Sequence, residues 1–355
     1  MPQDTFPLNS WYAAAWCSEV GRTLSARTVC AKDVVLYRQE DGVVVALEDA
    51  CWHRLLPLSL GRLEGDEVIC GYHGLRFNGA GRCTHMPAQQ TINPSAGVRA
   101  FPVAERHRLV WLWPGDPALA DPQTIPDFHW NDGTEWVGEG GTYYSLQCDY
   151  RLVVDNLMDL THETYVHAGS IGDETITATP FEVTHAGRKA TVTRWMLGIE
   201  PPPFWAKHLG RPGLVDRWQI IHFEAPSVIA GDVGVALSGT GAQQGDRSQG
   251  VNGFFLAAIT PESATSCHYF WNFVRTFRRE DASLTRAINV AHVNGGNGVY
   301  DQDFAILEAQ QRAIVKQPRQ PFYNLNIDAG ALWARRLIDA VIAAEQPARP
   351  SLAAE

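Results

Sequence analysis

The feature that most constrains the fold is an arrangement of cysteines and histidines in CWHRLLPLSLGRLEGDEVICGYHG. Cys51 and His53 are separated by one residue, Cys70 and His73 by two, and sixteen residues lie between the pairs. Thiols and imidazoles are common protein ligands for transition metals. A fold that uses all four together must place two short loops side by side, each offering one residue of each type.

The cysteine count supports a metal-binding interpretation. The chain has seven cysteines, an odd number, at irregular spacings. Its first residues, MPQDTFPLNSWYAAAW, lack a basic segment followed by an apolar run, so we expect no secretory signal. These observations predict a reducing, cytoplasmic location without disulfides, where cysteines close to histidines are metal ligands or buried thiols.

Three interpretations compete for the two Cys-His pairs: buried structural residues, a zinc site and a Rieske [2Fe–2S] cluster. Zinc knuckles usually carry two cysteines on one arm and two histidines on the other, whereas each arm here carries one of each. A Rieske cluster takes two thiolates on one iron and two imidazoles on its neighbour, so each loop supplies one of each. The spacing therefore favours a Rieske cluster held by Cys51, His53, Cys70 and His73.

Some neighbouring residues would support this site, and one nearby Cys-His pair repeats part of its motif. Gly71 and Gly74 would let backbone amides approach the cluster sulfurs, and Tyr72 could add a hydroxyl hydrogen bond. Cys83 and His85 repeat the first half of the motif. No C-x-x-H follows them, so we interpret this pair as structural.

A second candidate site lies in DNLMDLTHETYVHAGSIG, residues 155–172. Asp155, Asp159 and His162 stand at i, i+4 and i+7, on one face of a predicted helix. His167 follows His162 by five residues, about 140° around an ideal helix. The two histidines can therefore bind one metal only if the helix ends or bulges between them.

Two imidazoles need a third protein ligand, and mononuclear non-heme Fe(II) typically takes a carboxylate. Asp303, near the start of the predicted helix DQDFAILEAQQRAIV, is the best local candidate. The competing interpretation is a solvated acid favoured by the helix dipole, with His162 and His167 as core or surface residues. An electron donor in the same chain favours the iron site.

Hydrophobic patterns predict an α+β protein. Four prolines in PGDPALADPQTIPD place a boundary after a β-rich first part. We predict a domain at 1–118, a catalytic domain at 119–343 and a disordered tail at 344–355. Strands are predicted within 33–50 (two, around a turn at 40–42), 108–115, 189–199, 216–223, 253–260 and 267–277, and helices from near Asp155 to His167, at 301–315 and at 329–345.

Charge and hydropathy exclude two classes of partner. The net charge is −10, so the chain has no electrostatic reason to bind a phosphate backbone, and we expect no nucleic acid. No run of about 18 or more apolar residues occurs, so we expect no membrane span.

With both motifs in view, the chain resembles the oxygenase components of Rieske non-heme iron oxygenases, most closely the vanillate O-demethylase group of aromatic demethylases. The similarity covers nearly the whole chain and includes PLSLG, ICGYHGL, CDYRL, DNLMDLTHETYVHAGSIG, PPFW, VDRWQI and LNIDAG. It implies an N-terminal antiparallel β-rich Rieske domain followed by a helix-grip (START/Bet v 1-like) catalytic domain.

The resemblance also implies residue roles. Cys51, His53, Cys70 and His73 would hold the cluster, and His162, His167 and Asp303 would hold a mononuclear Fe(II). Asp159 would bridge His162 to a Rieske histidine of a neighbouring subunit, and Asn156 would lie close to the iron.

The expected activity is O2-dependent O-demethylation of a methoxylated aromatic acid such as vanillate, with release of formaldehyde. Electrons would come from NADH through a separate reductase of flavin or ferredoxin type, and the assembly would be a homotrimer. Alternatives are ring hydroxylation, oxidation of another methyl or N-methyl group, a Rieske electron-transfer protein without oxygenase activity, and a helix-grip protein that only binds a ligand.

Two features stand apart from the family pattern. Trp52 replaces the usual proline, and Leu55-Leu56 replace the usual Gly-Ala, so the cluster loop could differ locally.

In the catalytic part, Arg217 could meet a substrate carboxylate, although an arginine facing solvent or an acid is the better expectation. The aromatic candidates for the pocket are Trp195, Phe204, Trp205, Trp218 and Trp271.

Overall fold

The computed structural model describes residues 6–87, 89–138, 140–168, 170–292 and 298–346. The strands of the N-terminal part are β1 (Tyr12–Trp16), β2 (Ser25–Val29), β3 (Lys32–Arg38), β4 (Val44–Glu48), β5 (Arg62–Glu64), β6 (Glu67–Ile69), β7 (Arg76–Phe77), β8 (Cys83–His85), β9 (Val103–Arg106) and β10 (Leu109–Leu112). The later strands are β11 (Thr142–Leu146), β12 (Phe181–Ala186), β13 (Lys189–Ile199), β14 (Val215–Glu224), β15 (Val228–Leu237), β16 (Gly250–Ser263) and β17 (Ser266–Arg275). The α-helices are α1 (His129–Asp132), α2 (Tyr150–Met158), α3 (Glu163–Val166), α4 (Glu174–Ala178), α5 (Pro203–Leu209), α6 (Ala282–His292), α7 (Val299–Lys316) and α8 (Ala329–Glu345).

Three small sheets form the N-terminal part, in the orders β1-β10-β9, β2-β3-β4 and β5-β6-β7-β8. The predicted strand pair around residues 40–42 is confirmed as β3 and β4, in antiparallel register. Cys51 and Cys70 are buried in the same apolar cluster as Val68 and Phe77. Both motif loops therefore start from a packed core and not from free surface segments.

One seven-stranded antiparallel sheet dominates the rest of the chain, in the order β11-β17-β16-β15-β14-β13-β12. Every residue of β17 is buried, whereas β13 alternates between buried and more exposed positions. The predicted strands in this region are confirmed. The sequence analysis missed β15, because VIAGDVGVAL contains two glycines and an aspartate, which are depleted in strands.

Long helices cover this sheet, and the predicted α+β class is confirmed. Helix α8 packs against α2, β12 and β13, which is the helix-grip arrangement. The predicted helices at 301–315 and 329–345 correspond to α7 and α8.

The helix predicted from near Asp155 to His167 has the wrong bounds. Helix α2 starts at Tyr150 and ends at Met158, and Asp159 leaves helical geometry with φ −130° and ψ 94°. A 3-10 turn and the short helix α3 follow. The prediction failed because periodicity alone does not register a side chain that caps a new turn.

The N-terminal sheets and the large sheet share buried contacts. Strand β1 packs on β16, where the Thr260 hydroxyl donates to the Ala13 carbonyl at 2.6 Å. Tryptophans gather in one apolar cluster at this junction: Trp11, Trp16, Trp111, Trp113 and Trp130. Because β1 contributes to cores on both sides, the boundary at 118/119 stays a prediction.

The two ends of the described chain meet. The Glu345 carboxylate, at the end of α8, accepts hydrogen bonds from the amides of Leu8 and Asn9 at 2.7 Å each. Helix α8 therefore extends two residues into the predicted tail, of which residues 347–355 lie outside the described residues. Within the described part, no helix has both the length and the apolar character that a membrane crossing requires.

We predict that replacing Gly330 by Ala destabilises the protein. In a free helix this change is stabilising by about 1 kcal/mol. Here the added Cβ would stand 2.7 Å from the Met158 carbonyl oxygen and would also clash with Val192. We therefore expect the free energy of unfolding to fall by about 1–3 kcal/mol in urea denaturation.

Gly21→Ala is the matched control, because a Cβ there meets nothing within 4 Å. A Gly330→Ala protein as stable as this control would show that α8 is not seated against the end of α2.

Candidate metal centres and active-site cavity

The two Cys-His loops have the same backbone hydrogen-bond pattern. In each loop the cysteine carbonyl accepts from the amide four residues later, and the cysteine amide donates to the carbonyl five residues later. The first loop pairs Cys51 with Leu55 and Leu56, and the second pairs Cys70 with Gly74 and Leu75, at 2.9–3.0 Å. The equivalent turns place equivalent side chains side by side.

Like side chains pair across the two loops. The rings of His53 and His73 lie 4.6 Å apart between centroids, and both histidines are exposed. The two cysteines are buried, and burial, followed by the adjacent Cys70 thiol, raises the pKa of Cys51 to about 11. Two thiols on one side and two imidazoles on the other fit a two-iron cluster with Cys₂ and His₂ ligation.

The residue four positions after each cysteine has a left-handed backbone conformation. Gly74 has φ 74° and Leu55 has φ 58°. Glycine adopts this region freely, whereas for leucine it costs roughly 1–2 kcal/mol. The leucine therefore keeps the loop conformation at some strain and leaves an apolar side chain 74% exposed on it.

The Cys83-His85 pair fits its structural interpretation. The Cys83 thiol is buried in the core beneath the loops and lies 3.4 Å from the main-chain oxygen of His85. Burial raises the pKa of this thiol.

The second candidate site brings His162, His167 and Asp303 together. One potential ligand atom from each lies within 4.8 Å of the others. Asp303 Oδ1 is 3.4 Å from His162 Nε2 and 3.1 Å from His167 Nε2. The buried His167 Nε2 has no hydrogen-bond partner among the described residues. Converging donor atoms without a hydrogen bond between them suit a metal ion.

The outer ring nitrogens fix which atoms face the site. His162 Nδ1 lies 2.7 Å from the main-chain oxygen of Asp159, and His167 Nδ1 lies 2.8 Å from Gln302 Oε1. Both oxygens are acceptors, which assigns the proton to Nδ1 and leaves the Nε2 lone pairs directed towards Asp303. The sequence analysis missed Gln302, although its position beside Asp303 was a usable signal.

Asp159 and Asn156 take up positions close to this centre. The Asp159 carboxylate accepts from the Thr161 amide at 3.0 Å and hydroxyl at 2.6 Å. Within this chain, His162 contacts the main-chain oxygen of Asp159. The bridge through the Asp159 carboxylate, which the resemblance implies, stays a prediction. Asn156 Nδ2 lies 3.4 Å from Asp303 Oδ1.

A cavity opens beside these three residues. Its wall is mainly apolar and aromatic: Leu157, Leu160, Ile171, Phe204, Trp205, Val233, Phe255, Trp271, Phe273, Val299 and Tyr300. Three of the five predicted pocket aromatics are therefore in place. Trp195 and Trp218 are not, because they pack in a separate cluster with Ala236 and Ala242.

The remaining polar wall consists of Glu163, Arg217 and Gln219. Glu163 Oε2 accepts from Arg217 Nη2 at 3.1 Å and from Gln219 Nε2 at 2.9 Å. Arg217 Nη1 also lies 3.5 Å from Asp173 Oδ2. Arg217 thus faces acids, which is the expectation that the sequence analysis preferred over contact with a substrate carboxylate. The sequence analysis did not single out Glu163 or Gln219, since partners on distant elements leave no local signal.

Two family descriptions match this chain. Residues 10–102 match the Rieske [2Fe-2S] domain, and residues 146–344 match the vanillate O-demethylase oxygenase C-terminal domain.

Curated relatives span nearly the whole chain. Two proteins named vanillate O-demethylase oxygenase subunit, from Pseudomonas sp. strains HR199 / DSM 7063 and ATCC 19151, are 42% and 44% identical. The alignments cover 97% of this chain and 97% of the first relative, and 91% and 98% for the second. The iron-sulfur subunit of a toluene-4-sulfonate monooxygenase system from Comamonas testosteroni is 39% identical, with coverage of 96% and 98%.

Solved structures agree with this assignment. Dicamba monooxygenase bound to 3,6-dichlorosalicylic acid superposes with a TM-score of 0.88 at 35% identity, covering 96% of this chain and 99% of that one. Another structure of dicamba monooxygenase contains non-heme iron and dicamba.

A Rieske domain joined to this type of catalytic domain defines the oxygenase component of a Rieske non-heme iron monooxygenase, an oxidoreductase. Its cofactors are a Rieske [2Fe–2S] cluster and a mononuclear iron, and both sets of donor atoms described above fit them. Within this class, the chain belongs to the vanillate O-demethylase oxygenase family.

We predict that Gln302→Leu weakens iron binding. Loss of the Gln302 acceptor frees the His167 ring to rotate and to change tautomer. Such outer contacts typically change metal affinity by about 10–100-fold. Titration of the iron-depleted protein with Fe(II) under anaerobic conditions measures the effect.

The matched control is Gln310→Leu, an exposed residue on the same helix. Equal Fe(II) affinities in the two variants would contradict a role for Gln302 in orienting His167.

Proposed function

We propose that the protein O-demethylates a methoxylated aromatic acid such as vanillate. The observation that supports this most directly is the apolar, aromatic cavity that opens onto His162, His167 and Asp303. Such a wall suits an aromatic ring and excludes water from a methyl group held over the metal side. The names of the vanillate O-demethylase and dicamba O-demethylase relatives agree with the proposal.

In this proposal, His162, His167 and Asp303 hold the mononuclear iron, with Asn156 beside Asp303. We assign the cluster to four residues whose like side chains pair across the two loops: Cys51, His53, Cys70 and His73. We keep the predicted domains at 1–118 and 119–343.

When bound, the cluster would deliver single electrons, and the iron would allow O2 to oxidise a carbon–hydrogen bond of the substrate. The methoxy carbon gains a hydroxyl group, and the resulting hemiacetal collapses to a phenol and formaldehyde. One O2, two electrons and two protons are consumed, and one water is released. The chain contributes by fixing the imidazoles, excluding water and orienting the ring.

A separate reductase completes the system, since relatives are named as subunits or components. We propose that it is of flavin or ferredoxin type and takes electrons from NADH. The cytoplasmic location remains the expectation from sequence.

A homotrimer is the proposed assembly, in which one subunit's cluster faces a neighbour's iron. Large apolar side chains are exposed at two places. Trp52, Leu55 and Tyr72 are on the loops that carry His53 and His73, and Phe322, Tyr323 and Leu325 are on the segment that borders the groove with Asp159 and His162. Contact between these surfaces of different subunits would cover both, with Asp159 as the bridge.

Oxidation of an aromatic methyl group is the second candidate. It rests on the 39% identity to the toluene-4-sulfonate monooxygenase subunit. This reaction would give a benzylic alcohol and no formaldehyde, so product analysis separates the two.

The test is a turnover assay with holoenzyme, a surrogate reductase, NADH and a panel of methoxybenzoates. We expect formaldehyde in stoichiometric amount with consumed NADH and O2, and about three irons per chain. His162→Ala should abolish formaldehyde release while the Rieske paramagnetic signal persists. Absence of formaldehyde across the panel would remove the O-demethylase proposal.

The assembly is tested by light scattering of the purified protein. We expect three chains of 39.2 kDa. Tyr323→Asp, at a side chain 88% exposed, should weaken the trimer and reduce turnover with the reductase. Leu214→Asp, at another exposed apolar residue, is the control. A monomeric wild type would refute the proposed assembly.

A further inference from the structure

The polar corner of the cavity offers one acceptor that the protein does not use. Arg217 and Gln219 stand two residues apart on β14, so their side chains share one face of the sheet. Both donate to Glu163 Oε2. Among the described residues, nothing donates a hydrogen bond to Glu163 Oε1, although Glu163 lines the cavity.

The charges at this corner already balance. Arg217 is buried and lies within 3.5 Å of both Glu163 and Asp173. Behind Gln219 is a second buried cation, Arg194, whose Nη1 lies 3.5 Å from Gln219 Oε1. Two cations and two acids leave no excess positive charge, and a substrate carboxylate placed here would face the carboxylate of Glu163.

The other described lining residues do not compete for this role. Apart from the residues that face the metal, they are apolar, except for the hydroxyl of Tyr300 and the indole nitrogens of the tryptophans. Tyr300 packs against Tyr269 and Trp271, with ring centroids 5.8 and 4.7 Å away. Apart from Asp303 beside the histidines, Glu163 is therefore the carboxylate of this wall that a substrate hydrogen-bond donor can reach.

Glu163 also lies at the metal end of the cavity. It directly follows His162, and its carbonyl accepts from the His167 amide at 3.0 Å. Because Glu163 lines the same cavity as His162 and His167, we place a substituent that reaches Glu163 beside the group that reacts. On an aromatic ring with a methoxy group over the iron, this is the adjacent ring position.

We propose that Glu163 binds a phenolic hydroxyl on the ring carbon next to the methoxy group. Glu163 is then the residue that distinguishes a methoxyarene with this hydroxyl from an analogue without it, and the acid group of the substrate points away from Arg217. Arg217 and Gln219 act as positioning residues, because they hold Glu163 Oε2 and leave Oε1 for the substrate. This inference rests on the proposed O-demethylase function and assigns a specificity-determining residue to it.

The first test compares 4-hydroxy-3-methoxybenzoate with 3-methoxybenzoate on the wild-type holoenzyme. The two compounds differ only in the hydroxyl. Because a hydrogen bond to a buried charged group discriminates strongly against an analogue that lacks it, we expect kcat/KM to favour the hydroxylated compound by about 10–100-fold. A ratio within about threefold of one would overturn the proposal.

The second test is Glu163→Gln with the same two substrates. The variant loses the charged acceptor, so the ratio of the two kcat/KM values should fall at least tenfold, mainly through the hydroxylated compound. Glu174→Gln makes the same chemical change at an exposed residue of α4 and should leave the ratio at the wild-type value. Equal losses for both substrates in Glu163→Gln, with normal iron content, would assign Glu163 a purely structural role and refute the proposal.

The failure of the proposed function is distinguishable from the failure of this inference. If no methoxyarene releases formaldehyde, the O-demethylase proposal fails. Glu163 is still tested by calorimetry on the oxidised holoenzyme. The experiment compares the binding of 3-methylbenzoate with that of 4-hydroxy-3-methylbenzoate, which differs only in the hydroxyl. Tighter binding of 4-hydroxy-3-methylbenzoate than of 3-methylbenzoate, lost in Glu163→Gln, supports the hydroxyl site, and equal binding refutes it.

Discussion

The capping interaction of Asp159 is the local event on which the catalytic centre depends. Its carboxylate accepts two hydrogen bonds from Thr161, which ends α2 and starts a new turn. An uninterrupted helix would separate His162 and His167 by about 140°. The break lets both imidazoles approach Asp303, while the freed Asp159 carbonyl orients His162. One residue thus sets the bend through its side chain and the tautomer of His162 through its main chain.

The cavity that follows combines a dry apolar wall with a neutralised polar corner. Aromatic residues from α5, β16 and β17 exclude water, and Arg217 of β14 pairs with Glu163 of α3, while Arg217 Nε has no hydrogen-bond partner among the described residues. This matters because an unpaired buried charge would cost several kcal/mol. The corner is therefore suited to a substrate group that donates a hydrogen bond. It is poorly suited to a substrate carboxylate, because the charge of Arg217 is already neutralised.

Each centre reaches the protein surface through a histidine, since His53 and His73 are exposed and His162 is half-buried. The cluster histidines are exposed on loops rimmed by Trp52, Leu55 and Tyr72, while His162 borders a groove near Tyr323. Apolar side chains at both places are the expected signature of association. The strained Leu55 fits this view, since its conformation keeps the loop shape while adding apolar surface.

Sequence alone determined the ligand chemistry of this protein and much of its secondary structure. Residue types and short spacings carry that information: one thiol and one imidazole per loop, two histidines near an acid, and alternating strands such as β13. The tertiary structure decided the rest. The approach of Asp303 to the histidines, the contact of Gln302 with His167 and the pairing of Arg217 with Glu163 join residues that are 54 to 141 positions apart. Such contacts depend on how helices and sheet pack, and packing leaves no periodic trace in the local sequence.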